Sequence, residues 1–175
     1  IGMAGFNTGT GTILSFNTAN TTENTTENAA LYEPQANGKA SDVVEINYQS
    51  NTDCLGNATA GTATDRYYLN GTNLECLGNG SATPGVLAEG VENMQILYGE
   101  DSDNDAIANR YINAGSIVAT NPITSIRIAL LISTVDGIGV TDNAQYTLLN
   151  TPPIGPIGDK LLRRVFTRTI LLRNQ

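Results

Sequence analysis

Ile123-Thr124-Ser125-Ile126-Arg127-Ile128-Ala129-Leu130-Leu131-Ile132-Ser133-Thr134 decides how this chain folds. Side chains alternate across a strand, so Ile126, Ile128, Leu130 and Ile132 share one face, with Arg127 and Ser133 on the other. An apolar sheet face has to be buried against a second layer. Upstream, Val91 to Tyr98 repeats the pattern with Met94, Ile96 and Tyr98 on one face. Asp42 to Tyr48 does the same with Val44, Ile46 and Tyr48. Between them, Asp65 to Leu69 leads through Asn70-Gly71 to Asn73–Leu77, a hairpin signal with a loop longer than the minimal Asn-Gly turn. Downstream, Pro152 to Gly158 reads as a stiff connector. Residues 161–166 are expected to begin as a helical turn, and Thr167 to Leu172 to form a final strand. Strands without the βαβ rhythm point to an antiparallel sheet.

Composition supports this reading. The 175 residues suffice for one domain with its own core. Only 15% are charged, against a typical ~25%. Their place is taken by 22 Thr and 20 Asn, which suit strands and turns better than helices. There is no His, which excludes a Ser–His–Asp triad, a His-ligated zinc and a His general base. A net charge of −8 argues against a surface that neutralises nucleic-acid phosphates. Four of the nine cations, Arg163, Arg164, Arg168 and Arg173, crowd the C-terminus and are expected to form a basic face or to pair within the sheet. Residues 7–30 are rich in Thr and Asn and are expected to be a flexible loop. No run of about 18 apolar residues suits a membrane span. The chain starts at Ile1-Gly2-Met3 and reads as a piece of a longer or processed product.

Two cysteines, Cys54 and Cys76, stand 22 positions apart in Gly- and Asn-rich surroundings. An even count in such a chain fits a disulfide formed in an oxidising compartment, with two unrelated buried thiols as the other reading. Glu100-Asp101-Ser102-Asp103-Asn104-Asp105 is the one run that looks like a site. Alternate carboxylates on a loop can converge on calcium, and Asp101, Asp103 and Asp105 match the first three ligand positions of an EF-hand loop, with Asn109 able to add an oxygen. The pattern then fails, with Ala106 in place of Gly and Ile112 in place of Glu. A solvated acidic turn, with Arg110 offsetting its charge, is the plainer reading. A carboxylate pair can also serve a glycosidase, but such clefts are lined with aromatic rings and Trp is missing here.

Taken in order, these pieces resemble the PilW family of type IV pilus minor pilins. Met3-Ala4-Gly5-Phe6 is similar to the segment where the family's long N-terminal helix ends. Asp53-Cys54-Leu55-Gly56 and Leu74-Glu75-Cys76 resemble its paired cysteines, and residues 89–99 its EGVENMQVLYG strand. Asp101 to Asp105 followed by Asn109-Arg110-Tyr111 resembles its acidic loop, though Ala106 stands where the family often has Gly. Residues 126–131, Arg164-Val165-Phe166 and Leu172-Arg173-Asn174 complete the likeness.

The resemblance implies an α+β, mostly β, pilin-like fold. Residues 1–175 would form one globular domain, with residues 1–6 the end of a spine helix that is otherwise absent. It implies a non-catalytic subunit that helps initiate pilus assembly and sits in the tip complex. Its partners would be other minor pilins, the major pilin and a tip adhesin, with no nucleic acid. It would meet the membrane only through the missing helix, at the inner membrane and periplasm before assembly and on the extracellular pilus afterwards. The alternative is a free extracellular calcium-dependent adhesive or ligand-binding module.

Overall fold

The computed structural model describes residues 15–16, 41–118 and 120–172. The segment expected to end a spine helix, residues 1–6, lies outside them. So does most of the Thr/Asn-rich stretch, but Ser15–Phe16 of that stretch forms a strand, β1, paired with Asn47 and Ile46. Antiparallel neighbours follow in order: β2 (Val44–Gln49), β3 (Thr62–Asn70), β4 (Asn73–Gly78) and β5 (Gly85–Glu89). A second antiparallel sheet has the order β7-β6-β8-β9, built from β6 (Val91–Glu100), β7 (Arg110–Ile112), β8 (Ile123–Ser133) and β9 (Arg163–Leu171). Among the described residues the one helical element is a 3-10 turn, Ala114–Ser116, so the α part of the expected α+β fold is not found there. The helical turn expected at residues 161–166 is also absent. Arg163 onward is extended, because each residue from Arg163 to Leu171 pairs with β8.

The hairpin is tighter than expected. Asn70 pairs with Asn73, leaving Gly71 and Thr72 as a two-residue loop. Gly71 takes φ +60°, a positive angle that the first position of a type II′ turn requires and that glycine adopts without a Cβ clash.

The sheets share one core. Met94, Ile96 and Tyr98, the face read from sequence, pack with Val91, Ile123 and Ile126 of the second sheet and with Val44 and Leu69 of the first. A bulge between Val91 and Asn93 shifts the register of β6. Val91, set against Ile132, thereby joins the same core as Met94, while Glu92 is the extra residue. The chain itself straps the layers together. The Asp42 carboxylate accepts the Ile96 N–H at 2.7 Å and the Asp42 N–H donates to the Met94 carbonyl, just before the backbone enters β2.

The other face of β8 is covered as well. Ala129 and Leu131 are fully buried under Leu148 and Ile154 of the connector that joins β8 to β9. Fully burying a leucine contributes about 1.5–3 kcal/mol. The connector is therefore structural, as its prolines suggested, and it is also the lid of a second small core.

One arginine fastens that lid. Arg163 is 5% exposed and its guanidinium grips two carboxylates bidentately. Nε and one terminal nitrogen reach Glu92 at 2.6 and 2.8 Å, and the two terminal nitrogens reach Asp159 at 2.6 Å each. A further bond runs to Asp142 at 2.9 Å. Arg163 is thus no part of a basic surface; Arg164 and Arg168 are exposed, and Arg173 lies outside the described residues.

Arg163→Ala should cost about 3–5 kcal/mol, because it strands buried carboxylates, whereas Arg164→Ala should stay within about 0.5 kcal/mol. Arg163→Lys should not restore stability, since an ammonium cannot make two planar forks. Hydrogen bonds from Arg163 hold Asp159 down at about 2. Burial pushes Asp142 up, but the Ala144 N–H and Arg163 outweigh it and hold it below the usual range. Both carboxyls are thus more acidic when folded. Their contribution is complete above the unfolded value of about 4 and should be lost as pH falls from about 4 towards 2. Urea melts of wild type and R163A across that range should converge at the acid end.

Candidate functional site

The acidic run lies on the loop between β6 and β7, and the base of that loop is locked by Glu100. This carboxylate is fully buried. It accepts the Arg110 Nε at 2.6 Å and the Val118 N–H at 3.1 Å. Burial alone would raise its pKa, but the Val118 N–H and the Arg110 guanidinium hold the carboxyl below its ordinary value. Arg110 therefore neutralises Glu100 and makes no ion pair with the aspartates beyond it. The neck is closed by Asn109, whose N–H donates to the Glu100 carbonyl and whose side-chain oxygen accepts from the Ser102 N–H at 2.6 Å. Beside it, Gly99 is required by close approach, since a Cβ there would run into Ser125 Oγ and Ala108 Cβ. On the flank, the Arg127 guanidinium lies 3.7 Å over the Tyr111 ring, and the Tyr111 hydroxyl bonds Ser125 at 3.1 Å.

Asp101 organises the loop from within. It is 2% exposed. One oxygen accepts the N–H groups of Asp103 and Asn104 at 3.2 and 2.7 Å, and the other accepts that of Ala106 at 2.9 Å. Burial pushes its carboxyl up, but these donors, led by Ala106 and Asn104, bring it below its usual value. Asn104 and Ala106 pay for the wrap with positive φ, +61° and +68°.

The structure brings Asp101, Asp103 and Asp105 together, each offering an oxygen within 4.8 Å of the others. The Asn109 side-chain oxygen is engaged by the Ser102 N–H and hydroxyl at 2.6 and 3.0 Å. Hard oxygen donors suit calcium in kind, but Asp101 has spent most of its lone pairs on backbone, and calcium takes six to eight ligands.

The second site read from sequence is a covalent one. Cys54 and Cys76 form a disulfide with 6.6 Å between their Cα atoms. It ties the loop between β2 and β3 to β4, within the hairpin around Asn70-Gly71. In the chain-entropy picture a closed loop of this length contributes about 3 kcal/mol. Two buried carboxylates that sequence reasoning missed support it. Asp53 accepts the N–H groups of Leu55 and Asn57 at 2.9 Å each and that of Gly80 at 3.1 Å. Asp65, wholly buried, accepts the Cys54 N–H at 3.0 Å and the Tyr48 hydroxyl at 2.6 Å. The available signal was an Asp beside each element of a Cys- and Gly-rich loop. Nothing in the spacing says that these carboxylates turn inward.

A cavity of about 180 Å³ opens at the other end of the sheets, lined by Glu89, Gly90, Glu92, Ser133 and Val135 among others. Of its two carboxylates, Glu92 is held by Arg163.

A family model described as Type IV Pilus-assembly protein W matches residues 55–174, from the disulfide loop through β9. Neither the curated proteins nor the solved structures include a match.

Ala106 sets a test of the loop. Its left-handed backbone is one that glycine adopts without steric cost. Ala106→Gly should therefore stabilise the protein by about 0.5–1 kcal/mol, read as a rise in the urea midpoint at unchanged slope. A loss of stability would mean that the Ala106 methyl is held by contacts worth more than its strain.

Proposed function

The chain belongs to the PilW family of type IV pilus-assembly proteins, and from that premise we propose that it is a non-catalytic minor pilin that helps initiate the fibre and sits in its tip complex. Membership places it with the pilus-assembly machinery of the cell envelope. The finer assignment rests on one observation, the match from residue 55 to residue 174, which takes in β3 through β9. The chemistry of the described residues supports it. The buried carboxylates Asp42, Asp53, Asp65, Glu100 and Asp101 each accept a backbone N–H, and Arg163 is spent on fastening β9. We take residues 1–175 as one pilin-like domain whose partners are other minor pilins, the major pilin and a tip adhesin. No helix among the described residues is long and apolar enough to cross a membrane. The subunit would meet the membrane through a spine helix before assembly and stand on the extracellular pilus after it.

A second reading, the calcium-dependent adhesive or ligand-binding module, draws on the convergence of Asp101, Asp103 and Asp105.

The chain should form a hetero-complex with soluble forms of the other minor pilins, followed as mass by light scattering, and should not polymerise alone. Cells lacking the gene should show few pili. The absence of any complex, together with turnover of a glycan or peptide, would overturn the assignment. Calcium separates the second reading. An ion held at millimolar affinity should raise the melting temperature, and D103N/D105N should abolish the rise. An unchanged melting temperature well above millimolar calcium removes that reading.

A further inference from the structure

β9 is the last strand of its sheet, and its inner edge is fully used. It pairs with β8 without a break from Ser125↔Leu171 to Ser133↔Arg163. Among the described residues no strand pairs with its outer edge. Along these nine extended residues every other one presents its backbone donor and acceptor outward, the arrangement to which another strand adds.

The side chains on this strand are not those of an idle edge. Arg164, Phe166, Arg168 and Ile170 alternate onto one face, opposite Ile132, Leu130, Ile128 and Ile126 of β8. That is the face of the main core, yet Phe166 is 53% and Ile170 47% exposed. Neither Arg164 nor Arg168 has an ion-pair partner among the described residues, whereas Arg163 beside them is consumed by three carboxylates. Two unpaired cations, interleaved with two half-exposed apolar side chains, therefore stand on the edge of a chain whose net charge is −8. Charge on an edge strand repels indiscriminate pairing and admits the sequence that complements it.

We propose that the outer edge of β9 is a strand-addition site for an extended segment of a partner protein. That segment carries carboxylates four residues apart, with an apolar residue between them. Its backbone continues the sheet. Its carboxylates face Arg164 and Arg168 across the new ladder, and its apolar residues cover Phe166 and Ile170. The spacing follows from the two-residue period of a strand and holds for either direction of addition. The inference does not depend on the family assignment, because it rests on the edge, its exposure and its charge.

The test uses the whole chain and a synthetic peptide, Val-Thr-Glu-Thr-Leu-Thr-Glu, with the glutamates replaced by lysine as control. NMR titration should shift β9 amides selectively, and hydrogen exchange at that edge should slow on binding. An analogue N-methylated at alternate residues on its bonding edge should not bind. R164E/R168E, which should melt as wild type does, should weaken the glutamate peptide by about five- to tenfold and bind the lysine peptide instead. Three results would each overturn the proposal. One is no binding; another is binding indifferent to N-methylation, which would be surface attraction alone. The third is outward β9 amides already protected in the free chain, which would place the chain's own residues on that edge.

Discussion

The burial of one guanidinium among three carboxylates is the constraint on which this fold turns. Arg163 opens β9, Glu92 sits in the bulge of β6, and Asp142 and Asp159 belong to the long connector. Three pieces of chain separated by up to 71 residues meet at that one group. A buried ion pair is weak evidence for stability by itself, since desolvation offsets much of the attraction. Its value here is geometric. Two bidentate forks fix the plane of the guanidinium, so β9 cannot slide against β8 and the connector cannot lift from Leu131. The excess negative charge is led outward, because the Asp159 side chain remains 38% exposed.

The same logic recurs at the other end of the second sheet. Glu100 and Arg110 close the base of the acidic loop, and Asp101 draws its backbone around one carboxylate. In both places a charged group does work that water would do in the unfolded chain, supplying partners to groups that folding would otherwise strand. The structural disulfide region follows suit, with Asp53 and Asp65 holding N–H groups on either side of Cys54. Charge in this chain is scarce, and much of it is directed inward to position irregular segments. That economy leaves Arg164 and Arg168 conspicuous as cations facing outward.

Much of the fold was legible from alternation. β2, the hairpin of β3 and β4, β6 and β8 stand where period-two patterning put them, because a one-sided apolar face is a local property of consecutive residues. The pairing of Cys54 with Cys76 was legible from an even count. What misled was β9. Leu161 to Phe166 has a helix-compatible run of leucine and arginine, and only the nine-residue ladder with β8 makes it extended. The face carrying Ala129 and Leu131 was not read as buried, since what covers it, Leu148 and Ile154, lies on a loop with no period to announce it.

The candidate site divides in the same way. The residue types and spacing of Asp101, Asp103 and Asp105 were sufficient to predict that three carboxylates share a loop, and the structure brings them within reach of one another. Sequence could not say that Asp101 turns inward to backbone N–H groups, that Asn109 is spent on Ser102, or that Arg110 belongs to Glu100. Nor could it separate Arg163 from Arg164, neighbours of identical chemistry whose side chains point to opposite faces. The sequence by itself determined β2, the hairpin of β3 and β4, β6 and β8, the cross-link, the acidic loop and the family likeness, because each is written in local pattern. Tertiary structure alone decided which charges are buried partners and which are exposed, because that depends on what packs against each face from far along the chain.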